Sequence, residues 1–251
     1  MNHQSPGNLI YGKHPVYEAL VSGKKLEKIL ISSDAKPAET AEIRKLAKQQ
    51  EIPVQMVPIQ KLNSITRKVH QGVVGFLSLI QYFELEDVLM KAYEEGRTPL
   101  FLVLDHITDV RNFGAIARTA LGAAVDAIVV PVKGGALIGS DALKTSAGAL
   151  NKIHVCKVKS LTETLDFFKL NGIRIVAADM HTETFTYQED FTIPLAIVMG
   201  AEDTGVSLPL IRRSDSIIKI PIHEALESYN VAVSAGMILY EVMRQRAAIN
   251  P

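Results

Sequence analysis

Leu100–Leu104 reads LFLVL and Leu195–Met199 reads LAIVM, each an unbroken apolar run. A strand with one wet face alternates apolar and polar residues, whereas a strand apolar at every position is covered on both faces. These runs, with Ala127–Pro131 and Ile173–Ala177 and the helix-length segments between them, predict a mainly parallel sheet with helices on both sides. In such open α/β sheets, ligands bind beyond the carboxyl ends of the strands. Three polar stretches lie there: Asp105–Arg118 and Gly200–Ser207, both with glycine, and, after a further apolar run Ile217–Ile220, Pro221–Asn230.

Local signals fill in the rest. Asn112 is a candidate cap for a helix carrying Ile116, Ala117 and Ala120 and stopping at Gly122. Ser228 or Asn230 is a candidate cap for a C-terminal helix over 230–243, with Val231, Val233, Ile238 and Leu239 as its apolar residues. Val155–Val158 reads as a strand and Leu161–Leu170 as a helix, while Ser140–Ala149 is a run of small residues. Upstream, an edge strand at Asn8–Tyr11 and strands at Leu26–Ile31, Pro53–Val57 and Gly72–Ile80 alternate with helices at His14–Leu20, from Pro37 to about Gln50, and Ile59–Arg67. This pattern predicts a small α/β domain over 1–82, a linker over the acidic stretch 83–98, and a second domain over 99–251.

Charge separates the two parts. Residues 1–82 hold 11 Lys+Arg against 6 Asp+Glu; of 27 each in the whole chain, that leaves 16 against 21 for the remainder. A basic N-terminal part points to an anion such as RNA, with Lys24, Lys25, Lys28, Arg44, Lys45, Lys48, Arg67 and Lys68 as candidate phosphate contacts. A single cysteine, Cys156, excludes an internal disulfide and a multi-cysteine metal site, and its setting, HVCKV, suits a buried thiol. The seven histidines show no ligand spacing, so no metal is expected. No apolar run approaches the ~20 residues of a membrane helix, and the N-terminus lacks a signal-like apolar core. The expectation is a soluble, cytoplasmic protein. No G-x-G-x-x-G turn follows an early strand, which counts against a dinucleotide-binding enzyme.

Taken together and in order, the three strand-end loops resemble the SpoU (TrmH-type) RNA 2′-O-methyltransferases of the SPOUT class. Asn112, Gly114 and Arg118 match the family's first motif in RNFGAIARTA. Gly200, Glu202 and Gly205 match the second in IVMGAEDTGVS. Ile220, Pro221, Ser228 and Asn230 match the third in IPIHEALESYNVAVSAG. IYGKHPVYEAL and HQGV resemble the ribosomal-protein-like RNA-binding domain often fused to this family, and the large-subunit rRNA guanosine 2′-O-methyltransferases are the most similar subgroup. Ala201, Tyr229, Ala232 and Ser234 depart from the usual family residues.

The resemblance implies an α/β fold: a C-terminal parallel-sheet domain tied in a trefoil knot, which ordinary topology rules would not propose, plus the small N-terminal domain. It implies S-adenosylmethionine as cofactor, with no metal. It also implies RNA as substrate and a homodimer whose site is completed by the partner's motif-one arginine. Met199, Gly200, Ala201, Ile220, Pro221, Ser228 and Tyr229 would hold the cofactor, largely through main-chain groups. Arg118 would contact the ribose and its neighbouring phosphate, either as base or, more in keeping with a guanidinium, by stabilising the developing alkoxide. Asn112, Glu202, Ser228 and Asn230 would position the reacting groups. A tRNA ribose methyltransferase and a non-catalytic RNA-binding protein on the same fold remain the alternatives.

Overall fold

The computed structural model describes residues 8–136 and 138–249 and divides into two compact units. Residues 1–7, part of the stretch read as lacking a signal-like core, lie outside the described residues.

The first unit is a four-stranded sheet ordered β1-β4-β2-β3, from β1 (Leu9–Tyr11), β2 (Leu26–Ser32), β3 (Val54–Val57) and β4 (Val73–Leu77). β4 runs antiparallel to both β1 and β2, and β2 and β3 are parallel. Alternation along β2 sends its side chains to opposite faces. Ile29 and Ile31 join Val16 and Leu20 of α1 (Lys13–Val21) and Ile43 and Ala47 of α2 (Pro37–Gln49). Leu30 joins Leu62 of α3 (Ile59–Ile65), Val57 and Val74 on the other face. Not all the lysines are free phosphate contacts. Lys28 is half-buried with its ammonium 5.0 Å from the Phe76 ring centre, and burial, then Lys61, pulls its pKa down. Lys68 donates to the Tyr11 hydroxyl at 2.6 Å.

The second unit carries six parallel strands ordered β10-β8-β9-β5-β6-β7. They are β5 (Leu100–Leu104), β6 (Ala127–Pro131), β7 (His154–Val158), β8 (Arg174–Ala178), β9 (Leu195–Met199) and β10 (Ser216–Ile218). From β5 the chain steps outward through β6 and β7; from the other side it returns through β8 and β9 and ends on β10. The carboxyl ends of neighbouring β5 and β9 therefore bound a topological switch point, the place where open α/β sheets form a crevice.

On one face, Phe101 and Val103 of β5 pack with α4 (Leu85–Glu94) and with Leu165 and Phe168 of α7 (Leu161–Leu170). The stretch expected as a linker is thus largely a docked helix, because Leu85, Val88 and Leu89 form an apolar stripe buried in this core. Alternation turns the equally buried Leu100, Leu102 and Leu104 to the opposite face. α6 (Ser140–Thr145) and the short α8 (Leu208–Ile211) complete the unit with α5 (Val110–Gly122) and α9 (Val231–Ile249), which pack against each other. No helix among the described residues is long and apolar enough to cross a membrane.

Candidate active site

All three strand-end loops meet beyond the carboxyl ends of β5, β9 and β10. Asp105, the first residue after β5, is buried; its amide donates to Met199 O (2.8 Å) and its Oδ2 accepts from Ser207 N (2.8 Å). The first two loops are therefore joined by an anchored carboxylate. The cap of α5 is Asp109, whose Oδ1 accepts from the amides of Arg111 (2.7 Å) and Asn112 (3.0 Å). These contacts, with Asn112 first, hold its carboxyl below the usual range. Asn112 is thus not the cap expected from the sequence: it lies inside the first turn, and its side chain is free for a different partner.

That partner is Glu202. Asn112 Nδ2 donates to Glu202 Oε1 at 2.9 Å, and Asn230 Nδ2 donates to Asn112 Oδ1 at 3.0 Å and to the same Glu202 oxygen. Val231 N also donates to Glu202 Oε1 (3.1 Å). A carboxylate is well placed there, because the first turn of a helix presents unpaired N–H groups and the positive end of its dipole. Asn230 is the cap of α9, its Oδ1 accepting from Ala232 N (3.0 Å) and Val233 N (3.4 Å). One residue from each motif thus enters a single hydrogen-bonded triangle.

The glycines of the motifs hold backbones close. A Cβ on Gly200 would lie 2.0 Å from Gly205 C and 2.2 Å from Val206 N, so only glycine lets the 200–206 loop close on itself. A Cβ on Gly114 would lie 2.7 Å from Ala142 O, so this residue sets how near α6 approaches α5 and makes no contact with the cavity wall.

Beside the triangle is a cavity of about 900 Å³, lined by the ends of β8, β9 and β10 and the loops after them. Met199, Gly200, Ala201, Glu202, Ile220, Ser228 and Tyr229, all singled out from the sequence, are on its wall. Pro221 is not on it; its carbonyl accepts from the Tyr229 hydroxyl at 3.3 Å. Arg118 is absent from the wall too. It is exposed on α5, next to Thr119, whose side chain sits against Gly236 of α9. The apolar run expected to span 217–220 is a strand only over Ser216–Ile218; Lys219 and Ile220 leave the sheet and join the wall. The sequence reading missed Asp179 and His181, which line the cavity after β8. The signal was available: they too follow an apolar parallel strand. Among the described residues, no three His, Cys, Asp or Glu are placed to hold a metal ion.

Comparison with known proteins agrees with this architecture. The SpoU rRNA Methylase family model matches residues 99–240, and a model for RNA 2′-O ribose methyltransferase substrate binding matches residues 9–83. A Bacillus subtilis protein named as a TrmH family tRNA/rRNA methyltransferase, YacO, is 35% identical over 94% of this chain and 95% of its own length. Among solved structures, an RNA 2′-O ribose methyltransferase is 26% identical, covering 95% of this chain and 88% of its own, with a TM-score of 0.56. The SpoU methyltransferase AviRb of Streptomyces viridochromogenes, in complex with the cofactor AdoMet, shares the fold at 22% identity and a TM-score of 0.61, covering 96% of this chain and 90% of its own. With a matching family model over more than half its length and a relative alike from end to end, the chain belongs to the SpoU rRNA methylase family of RNA 2′-O ribose methyltransferases.

Proposed function

We propose that the protein transfers a methyl group from S-adenosylmethionine to the ribose 2′-hydroxyl of a guanosine in large-subunit rRNA, acting as a cytoplasmic homodimer. The observation that carries this reading is the meeting of Asn112, Glu202 and Asn230 beside the cavity at the ends of β8, β9 and β10.

The chemistry of the cavity fits that cofactor. Met199, Ile217, Ile218, Ile220 and Leu208 offer apolar surface for a purine, and Asp179, Glu202, Asp203 and Glu227 outnumber Lys219 on the wall, which suits a cationic ligand. When bound, S-adenosylmethionine supplies a methyl group already activated on a sulfonium centre. The protein's part is then alignment and removal of the hydroxyl proton. Main-chain groups of the Gly200–Val206 turn and of Ile220 and Tyr229 hold the cofactor. Glu202, Asn112 and Asn230 lock the three loops together, and Ser228 of the third loop lies on the cavity wall. Arg118 is the group that meets the substrate, its guanidinium fixing the phosphate and stabilising the oxyanion as the proton leaves.

Arg118 stands outside its own chain's cavity wall, which supports its acting in the site of a partner subunit. Val233, Met237, Tyr240 and Met243 form an exposed apolar stripe along α9, 40–66% accessible, as a dimer face would require. A trefoil knot is supported by the enclosure of the last strand. β10 pairs with β8 on one side, and just beyond it Lys219 exchanges hydrogen bonds with Thr184 and Thr186 on the other. The first unit, proposed to extend over 1–82, binds the RNA, and 83–98 connects it to the 99–251 catalytic domain. An RNA substrate and a lone thiol support a reducing, RNA-containing compartment.

A tRNA target is the second reading, favoured by a 29% identical tRNA modifying enzyme of A. aeolicus that covers 66% of this chain and 86% of its own, at a TM-score of 0.56. Nucleoside mass spectrometry decides. The protein is incubated with S-adenosylmethionine and unmodified large-subunit rRNA or tRNA transcripts, and 2′-O-methylguanosine in rRNA alone is expected. The mark in tRNA alone would transfer the assignment. No mark on either RNA or on assembled ribosomal particles would refute catalysis.

A further inference from the structure

Four acidic side chains line the cavity, and three of them, on Glu202, Asp203 and Glu227, belong to exposed residues. Asp179 differs: its side chain is only 14% exposed. It is the first residue after β8, and its amide donates to Ile218 O (3.0 Å), which pins it at the β8–β10 boundary. Its Oδ1 accepts from His181 N (2.9 Å) and lies 2.8 Å from His181 Nδ1. Its Oδ2 faces the Gly205 turn, 3.1 Å from where a Cβ would stand, and takes no hydrogen bond from a described residue. Lys219, the one lysine on the wall, is engaged elsewhere, with its ammonium 3.4 Å from Glu183 Oε2 and 5.1 Å from the Phe185 ring centre.

Exposed carboxylates act through water and dissolved ions, which weaken them at a distance; a shielded one acts through a poorer dielectric and keeps its reach. Methyl transfer changes the charge of the cofactor at one atom, from a sulfonium cation to a neutral thioether. We propose that Asp179 selects between these two states: it strengthens binding of the methyl-bearing cofactor and gives no such help to the demethylated product, so that spent cofactor exchanges for fresh. This inference rests on reading the cavity as the cofactor site.

Calorimetric titration of the full-length protein with S-adenosylmethionine and with S-adenosylhomocysteine tests it. Asp179→Asn keeps the shape and the acceptor for the His181 amide but removes the charge. The variant is expected to lower the ratio of the two affinities by about tenfold, with thioether binding changed by less than about twofold. The wild-type preference should also persist at about 0.5 M salt, where exposed acids are screened, and Asp179→Glu should retain it. An unchanged ratio in Asp179→Asn, or an equal loss of both ligands, overturns the proposal. So does collapse of the wild-type preference at high salt, which would place selection on the exposed acids and needs no variant to fold. If the wild type binds neither ligand, the cofactor reading itself fails and this inference falls with it.

Discussion

Replacing Gly200 by alanine should break the site's frame. The added methyl carbon would meet the Gly205 carbonyl carbon at 2.0 Å, its oxygen at 2.1 Å and Val206 N at 2.2 Å. Each distance is more than about 1 Å inside ordinary van der Waals contact. All three obstacles are backbone, so no side chain can swing away; the turn has to open. Opening it pulls on Ala201 O, which accepts from Gly205 N at 2.8 Å, and on Ser207, whose amide is held by buried Asp105. Overpacking of this kind costs about 1–3 kcal/mol, and losing a bond to a buried charged group about as much again. A destabilisation of about 2–6 kcal/mol follows, or a fall in melting temperature of roughly 4–24 °C for a chain this long. Gly122→Ala is the matched control: no atom lies within 4 Å of its new methyl, and it closes helix α5, so stability should hold or rise by up to about 1 kcal/mol. Urea unfolding of both variants, with cofactor titration of the folded forms, reads the difference. If Gly200→Ala unfolds at the wild-type midpoint and binds cofactor as tightly as the wild type, the closed turn is wrong.

Three further outcomes are expected. Arg118→Ala should lose methyl transfer by at least about a hundredfold while cofactor affinity, read by titration, stays within about twofold; surviving turnover would remove Arg118 from the chemistry. Arg246 sits half-buried on α9 and donates to the carbonyls of Thr98 (2.7 Å), Phe191 (3.0 Å) and Ile193 (2.9 Å), so Arg246→Ala should cost about 2–4 kcal/mol in urea unfolding by orphaning those acceptors; a change under about 0.5 kcal/mol would contradict the contacts. The Cys156 thiol is pushed up to about 12, by burial first and then by Glu84 and Glu86. Because the folded state holds this proton more tightly, the thiol's contribution to stability is complete below the unfolded pKa of about 8.5 and drains away as pH climbs towards about 12. At pH 8 the native protein should be inert to a thiol reagent that labels the unfolded chain at once, and rapid native labelling would show the thiol to be accessible.

The strands that organise the second unit were plain in the sequence for a simple reason. β5, β6 and β9 are buried on both faces, and burial on both faces leaves an uninterrupted apolar run. Pro37 marked the start of α2 because its ring suits the first helical position and no other. The cap of α5 was not so plain. Asp109 and Asn112 are both cap-forming residues, three positions apart, and the choice falls on Asp109 because Asn112 is spent on a carboxylate ninety residues away. Helix α4 was read as part of a connecting stretch because its acidic outer face dominates its composition, while a narrow apolar stripe of it is buried in the core. Val233 was read with Val231, Ile238 and Leu239 as an apolar residue of α9, and it alone of the four is exposed, at 48%, since a helix can carry two apolar stripes and only packing shows which is covered. Asp179 escaped notice although its place directly after an apolar parallel strand marked it, because nothing within AADMHTE itself distinguishes a carboxylate facing a cavity from one facing water.

The triangle of Asn112, Glu202 and Asn230 has a bearing on how the chain matures. Its bonds span 90 and 118 positions of sequence, and they tie the opening turn of the last helix to residues laid down far earlier. Contacts so distant along the chain pay the largest loop-closure entropy and form late. Val231, the first residue of α9, finds its acceptor only when the 200–207 turn is already in place. A nascent chain, or one cut short before α9, has the strands but no closed triangle. The ability to hold cofactor therefore arrives with the final element, so half-made protein does not sequester cofactor, and cofactor affinity reports on completed folding.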